Sequence, residues 1–227
     1  MLQFHIDHIG NTQSPIIVIE NFWPRPEELV EIAATRNDYG IRSLYYPGIR
    51  SSAPPEYAHA VVANLHEIIR SAFAVQDELT ITDSTFSITA TPAEKLVPFQ
   101  RVPHFDSTDP RRFAVLHYLC GSGHGGTSFY RHRSSGTEVV TEEMRDRYIR
   151  TVNAEVKAVG MPPALYVDGD TELFERIAKY ETAFNRALVY QGNVLHSVNV
   201  RPNFVPDPNP RTGRLTMNTF LLAKAPS

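Results

Sequence analysis

The sequence has little cysteine and no long apolar run. Cys120 is the single cysteine among 227 residues, and a lone thiol cannot close a disulfide within the chain, which is typical of proteins from reducing compartments. No window approaches the length of apolar sequence that a transmembrane helix needs. The first residues also lack the basic start and apolar stretch of a signal peptide. These absences predict a cytoplasmic protein without a membrane segment.

The sequence also lacks an excess of charge of one sign. Charged residues make up 21% of the chain and the formal net charge is −3. No basic patch or stripe is present of the kind that binds nucleic acid, and no long acidic or basic run suggests an interaction tail. Nucleic acid is therefore not an expected partner.

Short elements are expected throughout, because 17 prolines interrupt the chain. Helical spacing of apolar residues predicts helices over residues 27–36 and 55–73. Polar, helix-prone composition predicts one or two helices over residues 138–159 and a further helix over 171–180. Branched or alternating runs predict strands over residues 80–82 and 85–89, which could also form one bent strand, and over 15–19, 112–120, 127–131, 187–190, 194–198 and 214–223. Residues 45–50 and 201–213 are expected to form loops.

This order of elements predicts one α+β domain over residues 1–227. We expect a double-stranded β-helix (jelly-roll) core over about residues 80–223, with helices packed outside. Residues 1–79 would form an N-terminal helical support, and residues 138–180 would form a helical insert between strands of the core.

A His-x-Asp motif at residues 104–106 is the first candidate for chemistry. In an extended segment, residues two apart point the same way, so the side chains of His104 and Asp106 would project together. With one more histidine they would form the 2-His-1-carboxylate triad, which binds Fe(II) and leaves positions open. The motif alone is weak evidence, because His5 and Asp7 form a second copy.

Two later motifs complete the candidate site. His196, in the predicted strand 194–198, is the candidate third ligand. Arg214 and Thr216 share a strand face, and a guanidinium can pair both oxygens of the distal carboxylate of a dicarboxylic co-substrate. Arg211 is an alternative to Arg214, which we prefer because it begins a strand pattern with Thr216 in phase.

These motifs together resemble the Fe(II)/2-oxoglutarate-dependent dioxygenase superfamily, over roughly residues 80–223. Within it the chain looks closest to the prolyl-4-hydroxylase-like branch, because Gly-Gly-Thr-Ser-Phe at 125–129 is similar to that branch's Gly-Gly-x-Thr-x-Phe strand, with the threonine displaced by one. The gap between Asp106 and His196 is longer than is usual, and the arginine follows His196 later than expected. The predicted helical insert and the proline-rich loop 201–213 account for these departures.

The resemblance implies a ligand set and an activity. Fe(II) would be held by three residues: His104, Asp106 and His196. The co-substrate 2-oxoglutarate would be held by Arg214 and Thr216, with help from Tyr118, which resembles a tyrosine on a core strand of such enzymes. With O2 as oxidant, the implied reaction is hydroxylation of a small-molecule or amino-acid-like substrate. The Asp106 carboxylate argues against halogenation, because related halogenases leave its position vacant for chloride.

Two other functions stay open from the sequence: a non-catalytic jelly-roll module that binds metal or ligand, and a cupin-type oxygenase that needs no 2-oxoglutarate. The simultaneous presence of all three metal ligands disfavours the first, and Arg214 with Thr216 disfavours the second. We also hypothesise that Arg50, Arg131 and Arg133 line the substrate mouth, which would favour a carboxylated substrate.

Overall fold

The computed structural model describes residues 2–40, 45–201 and 203–224. The α-helices in these ranges are α1 (Pro26–Thr35), α2 (Pro55–Phe73) and α3 (Glu142–Val159). The strands are β1 (Gln3–Ile9), β2 (Ser14–Glu20), β3 (Gly48–Ser52), β4 (Glu78–Thr89), β5 (Arg112–Tyr118), β6 (Gly126–His132), β7 (Phe174–Glu181), β8 (Ala187–Gln191), β9 (His196–Asn199) and β10 (Leu215–Lys224). No helix in the described ranges has both the length and the apolar character needed to cross a bilayer.

The strands form two antiparallel sheets. The larger has seven strands in the order β1-β2-β8-β5-β10-β4-β3, and the smaller has three in the order β7-β6-β9. Side chains alternate between the faces of a strand, and β10 illustrates the result. Leu215 and Met217 pack in the apolar cluster that includes Leu65 of α2, whereas Thr216 and Asn218 line a cavity on the opposite face. The predicted α+β combination of sheets with helices is confirmed, and both sheets are antiparallel.

A second apolar cluster joins the two sheets. Tyr118 and Leu188 of the larger sheet pack with Phe129 of the smaller one, and all three are fully buried. Burial of each such side chain contributes roughly 1.5–3 kcal/mol to stability. The cluster holds the sheets at a fixed separation beside the cavity.

Two predictions of local structure are wrong. Residues 171–180, predicted as a helix, include most of strand β7, which pairs with β6 along its length. Sheet hydrogen bonds from β6 override the weak helical preference of this polar segment. Residues 48–50, predicted as part of the loop 45–50, belong to β3 because this segment pairs with β4. The helical insert is thus limited to α3, and the N-terminal region, predicted as helical support, also supplies strands β1, β2 and β3.

A buried carboxylate, Glu138, connects the β1–β2 turn to the smaller sheet. Its side chain is 1% exposed and forms an ion pair with Arg131 at 2.6 Å. It also accepts hydrogen bonds from the backbone N–H groups of Asn11 and Thr12 and from the Thr12 hydroxyl. Burial alone would raise the pKa of Glu138, but these donors outweigh it and hold the pKa below the ordinary value of 4.5.

We expect Glu138→Gln to lower the free energy of unfolding by about 2–4 kcal/mol at neutral pH, because it leaves Arg131 and several buried donors without an anionic acceptor. Because the folded-state pKa is lowered, the contribution of Glu138 is present above pH 4.5 and is lost as the pH falls through the folded-state value. Urea unfolding of both proteins across this range should therefore show their stabilities converging in acid. Glu175→Gln, which removes the more exposed partner of Arg131, should change the stability by less than about 1 kcal/mol; a larger effect than that of Glu138→Gln would contradict the assignment.

Candidate metal centre and co-substrate cavity

Three candidate ligands converge at one point between the sheets. One ligand atom from each of His104, Asp106 and His196 lies within 4.8 Å of the others. The Asp106 carboxylate is 3.8 Å from Nε2 of His104 and 3.5 Å from Nε2 of His196. The two imidazole rings lie 4.4 Å apart between centroids. Two imidazoles and a carboxylate in this arrangement match the donor set of a 2-His-1-carboxylate iron site.

Backbone hydrogen bonds bring the three residues together. His104 and His196 form an antiparallel bridge, with reciprocal N–H to carbonyl hydrogen bonds of 2.9 and 2.8 Å. The N–H of Asp106 donates to the Gly192 carbonyl at 2.7 Å. The segment that carries His104 and Asp106 is therefore attached to the turn and strand that carry His196, although His196 follows Asp106 by 90 positions in the sequence.

The protonation of the imidazoles suits metal binding. Nδ1 of His196 lies 2.9 Å from the Val194 carbonyl, which can only accept, so Nδ1 carries a proton and Nε2 is the nitrogen that has the lone pair in the neutral ring. Desolvation, with the nearby His196 adding to it, lowers the pKa of His104 to about 4, while Asp106 opposes the shift and Arg50 adds to it. Both rings thus have a neutral form with a free nitrogen, the form that binds metals.

The second His-x-Asp copy serves as an internal comparison. His5 and Asp7 lie on β1 with the same 3.8 Å separation as His104 and Asp106, but their side chains are 61% and 45% exposed. The other partner of Asp7 is the Tyr180 hydroxyl. No group of three potential ligands in the described residues includes this pair. The motif by itself does not make a metal site.

A cavity of about 1020 Å³ opens over the three ligands. Its wall includes Arg214 and Thr216 of the β10 region, and also Thr127 of β6. Arg211, the alternative arginine, lies elsewhere: it is exposed and forms an ion pair with Glu31. The structure therefore puts Arg214, and not Arg211, in the same cavity as the candidate ligands.

Arg214 is buried and oriented by three protein acceptors. It donates to the carbonyls of His124 and Gly126 and to the Thr89 hydroxyl, through Nε, Nη2 and Nη1, and it is 2% exposed. Each terminal nitrogen carries a second N–H group, so the guanidinium retains donors for an anion. Its charge also lies 5.8 Å from the centre of the Tyr118 ring, a cation–π distance.

Tyr118 stands behind the cavity wall. It is fully buried, and its hydroxyl is 2.7 Å from the hydroxyl of Thr127. Burial raises the pKa of Tyr118 to about 12, so the hydroxyl stays protonated. Thr127 lines the cavity and Tyr118 does not. Tyr118 would therefore affect a ligand only indirectly, through its hydrogen bond with Thr127. The Thr216 hydroxyl lies 2.9 Å from Oδ1 of Asn218 and 3.3 Å from the Ser87 carbonyl, so its single proton already has protein acceptors, of which Asn218 is the nearer.

Two cavity residues escaped the sequence argument. Tyr190 packs edge-on against the His196 ring at 4.9 Å between centroids and lines the cavity. Thr127 belongs to the Gly-Gly motif at 125–129, which does not by itself assign the threonine a role. The motif could have indicated Thr127, but the position of Tyr190 depends on the pairing of β8 with β5, which no local pattern reveals.

The three arginines that were expected to line the substrate mouth differ in their position relative to the cavity. Arg50 lines the cavity. The hypothesis is wrong for the other two: Arg131 forms ion pairs with Glu138 and Glu175, and Arg133 pairs with Asp170. Neither contributes to the cavity wall.

Comparison of the sequence with protein families gives a match over residues 1–221 to DUF6445, described as a family of unknown function. The chain belongs to the DUF6445 family. No curated protein matches its sequence.

Solved structures resemble this DUF6445 member in fold. The non-heme alpha-ketoglutarate-dependent epimerase SnoN from nogalamycin biosynthesis aligns with a TM-score of 0.54 at 9% identity, over 93% of this chain and 78% of SnoN. The carbocyclase SnoK of the same biosynthesis aligns with a TM-score of 0.52 at 11% identity, over 93% and 80%. HygX from Streptomyces hygroscopicus, solved with nickel, 2-oxoglutarate and hygromycin B, aligns with a TM-score of 0.50 at 12% identity, over 96% and 88%. The DUF6445 chain thus shares the fold of 2-oxoglutarate-dependent enzymes.

Proposed function

We propose that this DUF6445 protein is an Fe(II)- and 2-oxoglutarate-dependent oxygenase that hydroxylates a small organic molecule. Its two sheets would be the halves of a double-stranded β-helix, and the Gly-Gly strand β6 supports placement near the prolyl-4-hydroxylase-like branch. One observation carries the proposal: His104, Asp106 and His196 converge at a cavity that also contains the buried Arg214.

The donor set fits Fe(II). His104 and His196 would offer ring nitrogens and Asp106 a carboxylate, and all three residues line the cavity. Such a triad binds non-heme iron and leaves coordination positions for other ligands. When bound, the iron centre supplies the activation of O2 that hydroxylation of a C–H bond needs, with 2-oxoglutarate as the second reductant.

The remaining residues fit the co-substrate. The unused N–H groups of Arg214 would pair with the distal carboxylate of 2-oxoglutarate. Thr127 would donate a further hydrogen bond, since Tyr118 can donate its own proton to Thr127 and so free the threonine proton for the ligand. Tyr118 would then be a positioning residue, and Thr216 would contribute after its hydroxyl turns from Asn218.

Anaerobic titration of the protein with Fe(II) and 2-oxoglutarate tests the proposal. We expect a visible metal-to-ligand charge-transfer band that saturates at one equivalent of each, and no band when Zn²⁺ replaces Fe(II). Admission of O2 should then release succinate. A band without succinate would indicate a binding module, and saturable Fe(II) binding that 2-oxoglutarate leaves unchanged would indicate an oxygenase of the cupin type; either result would overturn the proposal.

A further inference from the structure

We propose that Arg50 binds a carboxylate of the substrate, and that the substrate is therefore an organic acid with an apolar or aromatic group. This inference rests on the proposed function, since it assigns the part of the cavity that the metal and 2-oxoglutarate would leave open.

The position of Arg50 follows from the sheet register. Arg50 of β3 is paired with Ser87 of β4, which is paired with Thr216 of β10. Paired residues on neighbouring strands point to the same face, and both Arg50 and Thr216 line the cavity. Arg50 thus lies on the edge strand beside the proposed co-substrate site, on the cavity side of the sheet.

The guanidinium of Arg50 is held in place without an anionic partner. It stacks over the Tyr46 ring, 4.4 Å from the ring centre, and the Tyr46 hydroxyl is anchored 3.1 Å from that of Thr89. Its Nε is buried with no hydrogen-bond acceptor. In the described part of the chain no carboxylate forms an ion pair with it, in contrast to Arg131, Arg133 and Arg211. A buried donor of this kind costs stability unless a ligand satisfies it.

The charges in the cavity leave room for one more anion. Iron(II), the Asp106 carboxylate, a 2-oxoglutarate dianion and Arg214 would together be neutral. The rest of the wall carries two carboxylates, Glu142 and Asp83, and three guanidinium groups, Arg50, Arg112 and Arg145. One positive charge therefore remains uncompensated, and Arg50 lies beside the proposed co-substrate site. A planar carboxylate matches the fork of a single guanidinium, whereas a phosphate would need further donors.

Helix α3 gives the cavity an apolar strip, Tyr148, Ile149 and Val152, beside its polar residues Glu142, Arg145 and Asn153. The aromatic residues Tyr45 and Phe99 also line the cavity, with their rings 4.9 Å apart. Ile149 and Phe99 are partly exposed in the free protein, so a bound apolar group would cover them. With a cavity of about 1020 Å³, at the upper end of ordinary ligand sites, the substrate can be considerably larger than an amino acid.

Equilibrium dialysis of the anaerobic Fe(II)–2-oxoglutarate protein with phenylacetate and indole-3-acetate, each compared with its primary amide, tests the inference. We expect each acid to bind tighter than its amide by a factor of about ten or more, because only the acid forms a charge-assisted pair with Arg50. Arg50→Gln should reduce this ratio to near one. Arg133→Gln, which removes a guanidinium outside the cavity, should retain the ratio of the wild type.

Separate readouts distinguish the two proposals. The charge-transfer band reports iron and 2-oxoglutarate, and it should form in Arg50→Gln with unchanged affinity for 2-oxoglutarate. Absence of the band in the wild type would overturn the proposed function, whereas a normal band with equal or undetectable binding of acids and amides would overturn the role of Arg50 alone. Tighter binding of phenyl phosphate than of phenylacetate would overturn the assignment to a carboxylate.

Discussion

Replacing His196 or His104 with alanine is expected to weaken Fe(II) binding by a factor on the order of 100 or more, because each change removes one of three donors to the metal. His196 and His104 are also joined by a backbone bridge, which alanine preserves. The weaker binding should therefore result from the missing ligand atom and not from a change in the fold. Anaerobic Fe(II) titration, followed by the 2-oxoglutarate charge-transfer band, measures the effect.

The second His-x-Asp copy provides the matched control. His5→Ala alters a histidine at the same distance from its aspartate as His104, but on an exposed strand without a third ligand. Its Fe(II) affinity should equal that of the wild type. Comparable loss in all three variants, or in none, would rule out the proposed iron site; thermal unfolding of each variant verifies that the fold is intact.

Replacing Arg214 with glutamine is expected to raise the Kd for 2-oxoglutarate by a factor on the order of 100, because the distal carboxylate would lose a charged, buried partner. Fe(II) binding in the absence of 2-oxoglutarate should be retained, since the guanidinium is not among the metal ligands. Titration of the charge-transfer band with 2-oxoglutarate at saturating Fe(II) gives the constant.

Arg211→Gln is the corresponding control, since it removes the alternative arginine and its exposed ion pair with Glu31. Its affinity for 2-oxoglutarate should not change. Arg214→Gln will also unfold at a lower temperature, because the carbonyls of His124 and Gly126 lose their donor. An Arg214→Gln protein that is folded and binds 2-oxoglutarate like the wild type would refute the proposed co-substrate site.

Local alternation made much of the site predictable from the sequence. The two-residue spacing in His104 and Asp106, and again in Arg214 and Thr216, depends only on the geometry of an extended chain, and the structure puts all four in one cavity. The helix α2 followed from apolar spacing in the same way. These patterns are local, so tertiary contacts did not need to be known.

Features that depend on strand pairing could not be predicted from the sequence. The bridge to His196 sets His104 apart from His5, and that bridge joins segments far apart in the chain. Strand β7 has a helix-like composition and becomes a strand through its partner β6. Arg131 is likewise held away from the cavity by ion pairs with Glu138 and Glu175, which lie outside its own strand.

The attachment of residues 104–106 to β9 and to Gly192 through main-chain hydrogen bonds has a consequence for maturation. The three donors are preassembled by the polypeptide, so cofactor loading can follow folding instead of driving it. Main-chain bonds do not discriminate among divalent ions, and donor chemistry of this kind accepts several. The ion that occupies the centre in the cell would then depend on which divalent metal ions are available there.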